Sequence, residues 1–269
     1  HPTFEASRVV TALASGEPTL FFGVPTLYVR LVRELASRDP RPDLSSMRLF
    51  CSGSAPLAPE TFEAFERLTG HRILERYGMT ETGMLLSNFY AGARLPGTVG
   101  VPLPGVSMRI VGEDAREVAD GEEGEVLVRG ANVFDGYWRA PEKTEQSFVA
   151  DEAGRRWFKT GDLARRVPET GHVTLLGRRH ELILSGGYNV YPREIEEALA
   201  AYPGVVEAAV VGRAHPEWGE VPVAFLVTDG AIDEVSLIAW LKERLAGFKV
   251  PRRFEQLTAL PKNALGKVQ

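Results

Sequence analysis

MRLFCSGSAPLAPETFEAFERLTGHRILERYGMTETG, residues 47–83, decides how the first part of the chain folds. MRLFCSGSA reads as a strand running into a Gly/Ser turn. APETFEAFERLTG reads as a helix with Gly70 just past its end, where a left-handed residue commonly closes a helix. HRILERYG reads as the next strand. Strand, helix and strand in such close succession predict a parallel or mixed sheet with functional loops at the strand ends. The run ERYGMTETG, Glu75–Gly83, reads as a turn with an apolar setting. It nevertheless places a tyrosine, a threonine and a glutamate in succession behind an arginine, which a turn alone does not require.

Upstream, FEASRVVTAL has helical spacing, with Phe4, Val9, Val10 and Leu13 on its apolar face. PTLFFGV reads as a short buried strand. PTLYVRLVREL opens on Pro25, a good first-turn residue, and repeats its apolar positions as a helix. Downstream of about Leu95 the texture changes. GTVGVPLPGVSMRIVG, GEEGEVLVRG and GHVTLLGR are alternating runs bounded by Gly and Pro, which predict a small antiparallel, barrel-like subdomain. After Gly177 come the helix PREIEEALAAYPGV, the strands VEAAVVGR and VPVAFLVT, and the helix DEVSLIAWLKERLA, started by Asp233 or Ser236. The expected organisation is a large domain over residues 1–176, α/β over 1–94 and β-rich over 95–176. A junction at 177–181 and a compact α+β domain over 182–269 follow.

The 269 residues are 44% hydrophobic and 25% charged, an ordinary globular composition with room for two domains. A net charge of −5 without a basic cluster argues against a nucleic-acid partner. No apolar run is long enough to span a membrane, and no signal-peptide pattern occurs. The single cysteine, Cys51, excludes an internal disulfide and suits a reducing, cytoplasmic compartment; its apolar neighbours favour a buried structural thiol over a nucleophile. The first residue is His1 rather than Met, and the chain is read as a piece of a longer protein.

Several loops are richer in glycine and polar residues than turns demand. CSGSAPL follows a strand, with Gly53 and small neighbours Ser54 and Ala55 that allow a planar ligand near the backbone; a plain strand-to-helix turn is the alternative. In YGMTE, Tyr77 could stack on a base, Thr80 donate to a phosphate oxygen and Glu81 hold a magnesium ion. WFKTGDLA places Asp162 after a tight glycine turn, where a carboxylate can accept both hydroxyls of a ribose. Arg178 in GRRHEL is a planar donor for ribose or phosphate oxygens. SGGYNVYPREIE carries a double-glycine turn at Gly186 and Gly187, which lets a ligand or another backbone pass close. PKNALGK ends on Lys267 in a Gly-flanked loop; a lysine so placed is ordinarily just solvated.

In this order, GSAPL, YGMTET, GTVGVPLPG, GEVLVRG, WFKTGDLA, GRRHELILSGGYNVYPREIE and PKNALGK make the chain resemble the adenylate-forming superfamily of acyl-CoA synthetases, nonribosomal adenylation domains and luciferases. The likeness runs from about Cys51 to Lys267. GSAPLAPETFEAFERLTGHRILERYGMTETGM followed by RLPGTVGVPLPGV is most similar to the malonyl-CoA synthetase branch. The resemblance implies part of a large ATP- and acid-binding domain and a small mobile C-terminal domain. It implies ATP, magnesium and coenzyme A as reactants, with malonate or methylmalonate as the acid. A medium- or long-chain fatty acid is the alternative, and an inactive nucleotide-binding fragment is the alternative outside enzymes.

Carried over by motif, Gly53, Ser54, Ala55, Tyr77, Gly78, Met79 and Thr80 would line the ATP or AMP site, with Tyr77 at adenine and Thr80 at the α-phosphate. Glu81 would bind magnesium, and Asp162 and Arg178 the ribose. Lys267 would offset charge during adenylation. His180 would fall at the hinge, where the family usually has Asp or Lys. Gly186, Gly187 and Tyr188 would face the acyl-adenylate in the thioester step. Arg76 would meet the second carboxylate of the acid; a surface arginine or a Glu75 partner are its alternatives. No TSGTTG-like phosphate loop occurs in these residues, and the resemblance places it upstream.

Overall fold

The computed structural model describes residues 4–262 and residue 268. It divides into two compact units, His1–Thr160 with Ala164–Leu175, and Gly161–Leu163 with Leu176–Gln269.

The first unit opens with α1 (Ala6–Ala14), β1 (Leu20–Gly23), α2 (Pro25–Ser37), β2 (Leu49–Ser52), α3 (Pro59–Thr69) and β3 (Leu74–Met79). β4 (Gly83–Ser87) and β5 (Val101–Pro102) complete a sheet of order β1-β2-β3-β4-β5. β1, β2 and β3 run parallel, and β4 and β5 add antiparallel. Pro25 and Pro59 stand in the first turns of α2 and α3, where the missing N–H costs nothing. Gly70 closes α3 at φ 73, its N–H bonded to the Glu66 carbonyl. The helices bury Tyr28, Leu31, Leu35, Phe62 and Phe65 against Phe50 of β2. Each such side chain contributes roughly 1.5–3 kcal/mol by leaving water. The Tyr28 hydroxyl, unable to stay unbonded there, donates to the Cys51 carbonyl at 2.9 Å.

β1 departs from the buried strand expected of PTLFFGV. It ends the sheet, and its side chains alternate, leaving Leu20 39% and Phe22 58% exposed. The apolar run is continuous in sequence, but an edge strand with helices on one face buries alternate residues only.

The β-rich part comprises β6 (Ser107–Val111), β7 (Glu123–Arg129), α4 (Pro141–Gln146), β8 (Phe148–Ala150), β9 (Arg156–Arg166) and β10 (Val173–Arg178). Its sheet has the order β10-β9-β7-β6, with β8 on β9. This is an open sheet, not a closed barrel: the described strands stop at β6 and β10. Val126, Val128, Phe158 and Val173 bury their side chains with Tyr77, Leu85 and Leu86.

In the second unit a 3-10 turn, Arg179–Glu181, precedes β11 (Ile183–Ser185), β12 (Tyr188–Val190), α5 (Pro192–Ala200), β13 (Val205–His215), β14 (Gly219–Thr228), α6 (Glu234–Lys242) and β15 (Arg253–Gln256). The sheet order is β12-β11-β14-β13, with β15 parallel on β14. Ile183, Ile195, Leu199, Leu226, Leu237 and Leu241 form its core. Asp233 caps α6, accepting from the Val235 and Ser236 N–H groups, so it rather than Ser236 starts the helix. Lys267 lies outside the described residues.

Candidate functional site

β2 delivers its chain end next to β3, and the approach is tight for any side chain at Gly53. A Cβ on Gly53 would lie 3.1 Å from Arg76 Nη1 and 3.2 Å from the Arg76 carbonyl oxygen. Ser54 then takes a left-handed φ of 70°, a strained choice for a residue with a side chain, and Ser54 and Ala55 are exposed. The Leu57 N–H donates to Glu75 Oε2 at 3.3 Å, so a carboxylate only 3% exposed fastens the far end of this turn. The Glu75 carbonyl in turn accepts from the Asn88 N–H at 3.0 Å and from Asn88 Nδ2 at 3.2 Å.

Arg76 follows Glu75 on β3, and neighbouring strand residues face opposite ways. Its Nη1 donates to Met84 Sδ at 3.0 Å, and its guanidinium stands 5.8 Å from the centre of the Phe22 ring. It also faces the Cys51 thiol: burial pushes that thiol's pKa up, and Arg76 opposes the shift. Among the described residues no carboxylate lies within ion-pair distance of Arg76, so the suggested pairing with Glu75 is not formed. The half-buried cation is held by a thioether, a ring and a thiol. None of these neutralises it, and its fork remains available for a carboxylate.

The Tyr-Gly-Met run is strand, not turn. Tyr77, Gly78 and Met79 continue β3 and pair with β4 across a bulge between Tyr77 and Gly78. Gly78 is indispensable here, because a Cβ would collide with the Gly83 carbonyl oxygen. The Tyr77 ring is 9% exposed and belongs to the apolar cluster beneath the second sheet. Thr80, Glu81 and Thr82 make the turn between β3 and β4, with Thr80 exposed and Glu81 half-buried. A segment some fifty residues away clamps this turn. Phe134 N–H donates to the Glu81 carbonyl at 2.8 Å, Asn132 Nδ2 to the Thr82 carbonyl at 2.7 Å, and the Tyr137 hydroxyl to Glu81 Oε1 at 3.1 Å. Burial and then the Glu81 charge push the Tyr137 pKa up, which keeps the phenol protonated and donating.

The remaining expected residues lie in the second unit. Asp162 sits inside β9, not after a turn; Gly161, at φ 72, bends the strand without ending it. Asp162 is 6% exposed and its Oδ1 accepts from Arg178 Nε at 2.9 Å. Gly186 and Gly187, at φ 58 and 83, turn β11 into β12. A Cβ on Gly186 would meet the Trp218 ring at 2.6 Å, whereas Gly187 faces open space. Tyr188, 56% exposed, stacks on Phe248 at 4.5 Å. His180 is exposed, 3.7 Å from a Glu181 oxygen.

Within the first unit the structure thus gathers Gly53, Ser54 and Arg76 at one strand end, and Thr80 and Glu81 at one turn. Within the second it pairs Asp162 with Arg178. Sequence reading missed Glu75, Asn132 and Tyr137. The first was visible as an acid inside an apolar strand; the other two carry no local signal, because their partners lie far along the chain. Among the described residues no three His, Cys, Asp or Glu side chains gather to hold a metal. Glu81 fits a magnesium ion whose other ligands are phosphate oxygens and water, which is how that ion commonly binds with nucleotides.

The chain belongs to the AMP-binding enzyme family: the family's model matches residues 1–138, and that of the AMP-binding enzyme C-terminal domain matches residues 194–267. It is 40% identical to a malonate–CoA ligase of Arabidopsis thaliana over 269 residues, covering 93% of this chain and 43% of the relative. It is 37% identical to a long-chain-fatty-acid–CoA ligase of Bacillus subtilis, covering 99% of this chain and 47% of that protein. The crystal structure of ATP-bound MatB from Rhodopseudomonas palustris matches with a TM-score of 0.88 at 44% identity, covering 100% of this chain and 52% of MatB. The chain spans about half the length of these relatives. No helix of the described residues is long and apolar enough to cross a membrane.

Proposed function

We propose that the full-length protein is an ATP-dependent, AMP-forming acid–CoA ligase acting on malonate. The observation that carries the choice of acid is Arg76, a half-buried guanidinium with no described carboxylate partner, beside the Gly53 turn. A monocarboxylic acid needs no cation at its far end, while burying the second carboxylate of malonate unpaired is costly. The identity to the Arabidopsis malonate–CoA ligase supports the same acid, and methylmalonate adds only a methyl group. The identity to the Bacillus fatty-acid ligase supports a second reading, in which the acid is a medium or long chain.

In this reading the acid's carboxylate attacks the α-phosphate of ATP and pyrophosphate leaves. The coenzyme A thiol then attacks the acyl-adenylate, releasing AMP. Thr80 donates to phosphate, and Glu81 holds a magnesium ion that would offset the meeting of two anions. Gly53, Ser54, Ala55, Tyr77, Gly78 and Met79 frame the nucleotide. Asp162 takes the ribose hydroxyls with Arg178 behind it. Lys267 serves adenylation, and Gly186, Gly187 and Tyr188 serve thioester formation, with His180 in the linker. A cytoplasmic setting, argued from the lone thiol, belongs to the same proposal.

The test is acid-dependent ATP–pyrophosphate exchange and thioester formation by the full-length protein with malonate, methylmalonate, butyrate and decanoate. Malonate should give the highest kcat/KM. A preference for decanoate would establish the fatty-acid reading, and exchange with none of the acids would remove the enzyme reading.

A further inference from the structure

We propose that Tyr137 is a positioning residue for the Glu81 carboxylate: its hydroxyl engages one carboxylate oxygen and leaves the other for a divalent cation. This rests on the reading of Glu81 as the metal-binding residue. The geometry shows a phenol fixed independently of any ligand. The Tyr137 N–H donates to Thr144 Oγ1 at 2.9 Å, its ring packs edge-on to Phe134 at 4.8 Å, and Lys143 Nζ lies 4.2 Å above the ring. Gly136 permits this packing, since a Cβ there would meet Thr144 Cγ2 at 2.5 Å. From this seat the hydroxyl donates to Glu81 Oε1 at 3.1 Å.

Both the backbone and the side chain of Glu81 are therefore tied to residues 134–137. The backbone takes the Phe134 N–H and the carboxylate takes the phenol. A glutamate on a turn otherwise keeps several rotatable bonds, and freezing them on ligand binding costs conformational entropy. Tyr137 removes part of that cost in advance. It also does so without charge. A lysine or arginine in its place would orient the carboxylate equally well, but would repel the incoming cation and neutralise its ligand.

The experiment is titration of Mn2+ into the full-length protein saturated with a non-hydrolysable ATP analogue, with free Mn2+ read by electron paramagnetic resonance. The variants are Tyr137→Phe, Glu81→Gln and their combination, each with a thermal melt. Partners of metal-binding carboxylates typically tune affinity by 10–100-fold, so Tyr137→Phe should weaken Mn2+ binding about tenfold. In the Glu81→Gln background it should change nothing. The metal concentration for half-maximal adenylation should rise in parallel, with little change in kcat at saturating metal. Tyr137→His, which keeps a ring and a donor, should recover part of the loss. Equal weakening in both backgrounds, or a fall in melting temperature that accounts for the loss, would make Tyr137 a structural residue and overturn the inference. So would unchanged binding by Tyr137→Phe where Glu81→Gln weakens it. Unchanged Mn2+ binding by Glu81→Gln would instead overturn the metal reading of Glu81, and the inference with it.

Discussion

Two arginines, one in each unit, meet opposite surroundings. Arg178 has its anion built in: Asp162 is 6% exposed and bonds to it at 2.9 Å. Arg76 has neighbours that shape its position but cancel none of its charge: Met84 Sδ at 3.0 Å, the Phe22 ring at 5.8 Å and the Cys51 thiol. The first arrangement resembles a strut, satisfied before any ligand arrives. The second is incomplete until an anion joins it. Chemistry that recruits a carboxylate is better served by the second, because a ligand does not have to displace an existing ion pair.

That contrast breaks most directly at Arg76. In the full-length protein Arg76→Met should lower kcat/KM for malonate by roughly 2–4 kcal/mol, or about one and a half to three decades, as a charge-assisted pair is lost. Butyrate should be unharmed or improved. Arg76→Lys should recover only part, since a point charge replaces the fork. An equal drop on both acids would show that Arg76 merely supports the β3 hairpin.

A smaller effect is expected at the satisfied pair. Asp162→Ala in the full-length protein should cost about 2 kcal/mol of stability in urea unfolding, less than a fully buried pair because the Arg178 side chain is 38% exposed. AMP affinity, read by calorimetry, should fall as well. A stability loss with undiminished AMP affinity would make Asp162 a strut alone.

The smallest effect concerns a third group, a buried carboxyl whose burial outweighs the nearby Arg193 charge. Glu196 of α5 accepts the Val210 N–H at 2.9 Å, and its pKa is pushed up to about 7, first by burial and then by Glu181 and Glu197. The folded state therefore holds this proton more tightly than the unfolded chain. The stability it contributes is complete below the ordinary glutamate value and is lost as pH rises through about 7. Glu196→Gln keeps an acceptor for Val210 and should remove about 1–2 kcal/mol of the difference between melts near about pH 5 and about pH 8. An unchanged slope would place the titration elsewhere.

Much of this was legible from the chain. The order of strands and helices through residue 79 follows from apolar spacing, and Pro25, Pro59, Gly70 and Asp233 punctuate it as their backbone chemistry dictates. The Gly186–Gly187 turn was readable because only glycine takes two consecutive positive φ angles without cost. Less legible was whether a glycine bends a strand or ends it. Gly78 and Gly161 both suggested turns, yet each sits inside a strand, Gly78 because the opposite strand passes too close for a side chain. Cross-chain clamps were invisible: nothing local to Tyr137 or Asn132 announces a partner at Glu81 or Thr82. Lys267, the residue with the plainest motif, lies outside the described residues.

The edge strand β1 has a practical corollary at the bench. Its outer row of peptide groups has no described strand beside it, and Leu20 and Phe22 stand exposed along it. Such an edge is a ready template for another copy, and neither proline nor a charged side chain interrupts Leu20–Gly23. For these 269 residues prepared by themselves, light scattering should rise with concentration while the melting temperature holds. A lysine introduced by Phe22→Lys should clear the solution.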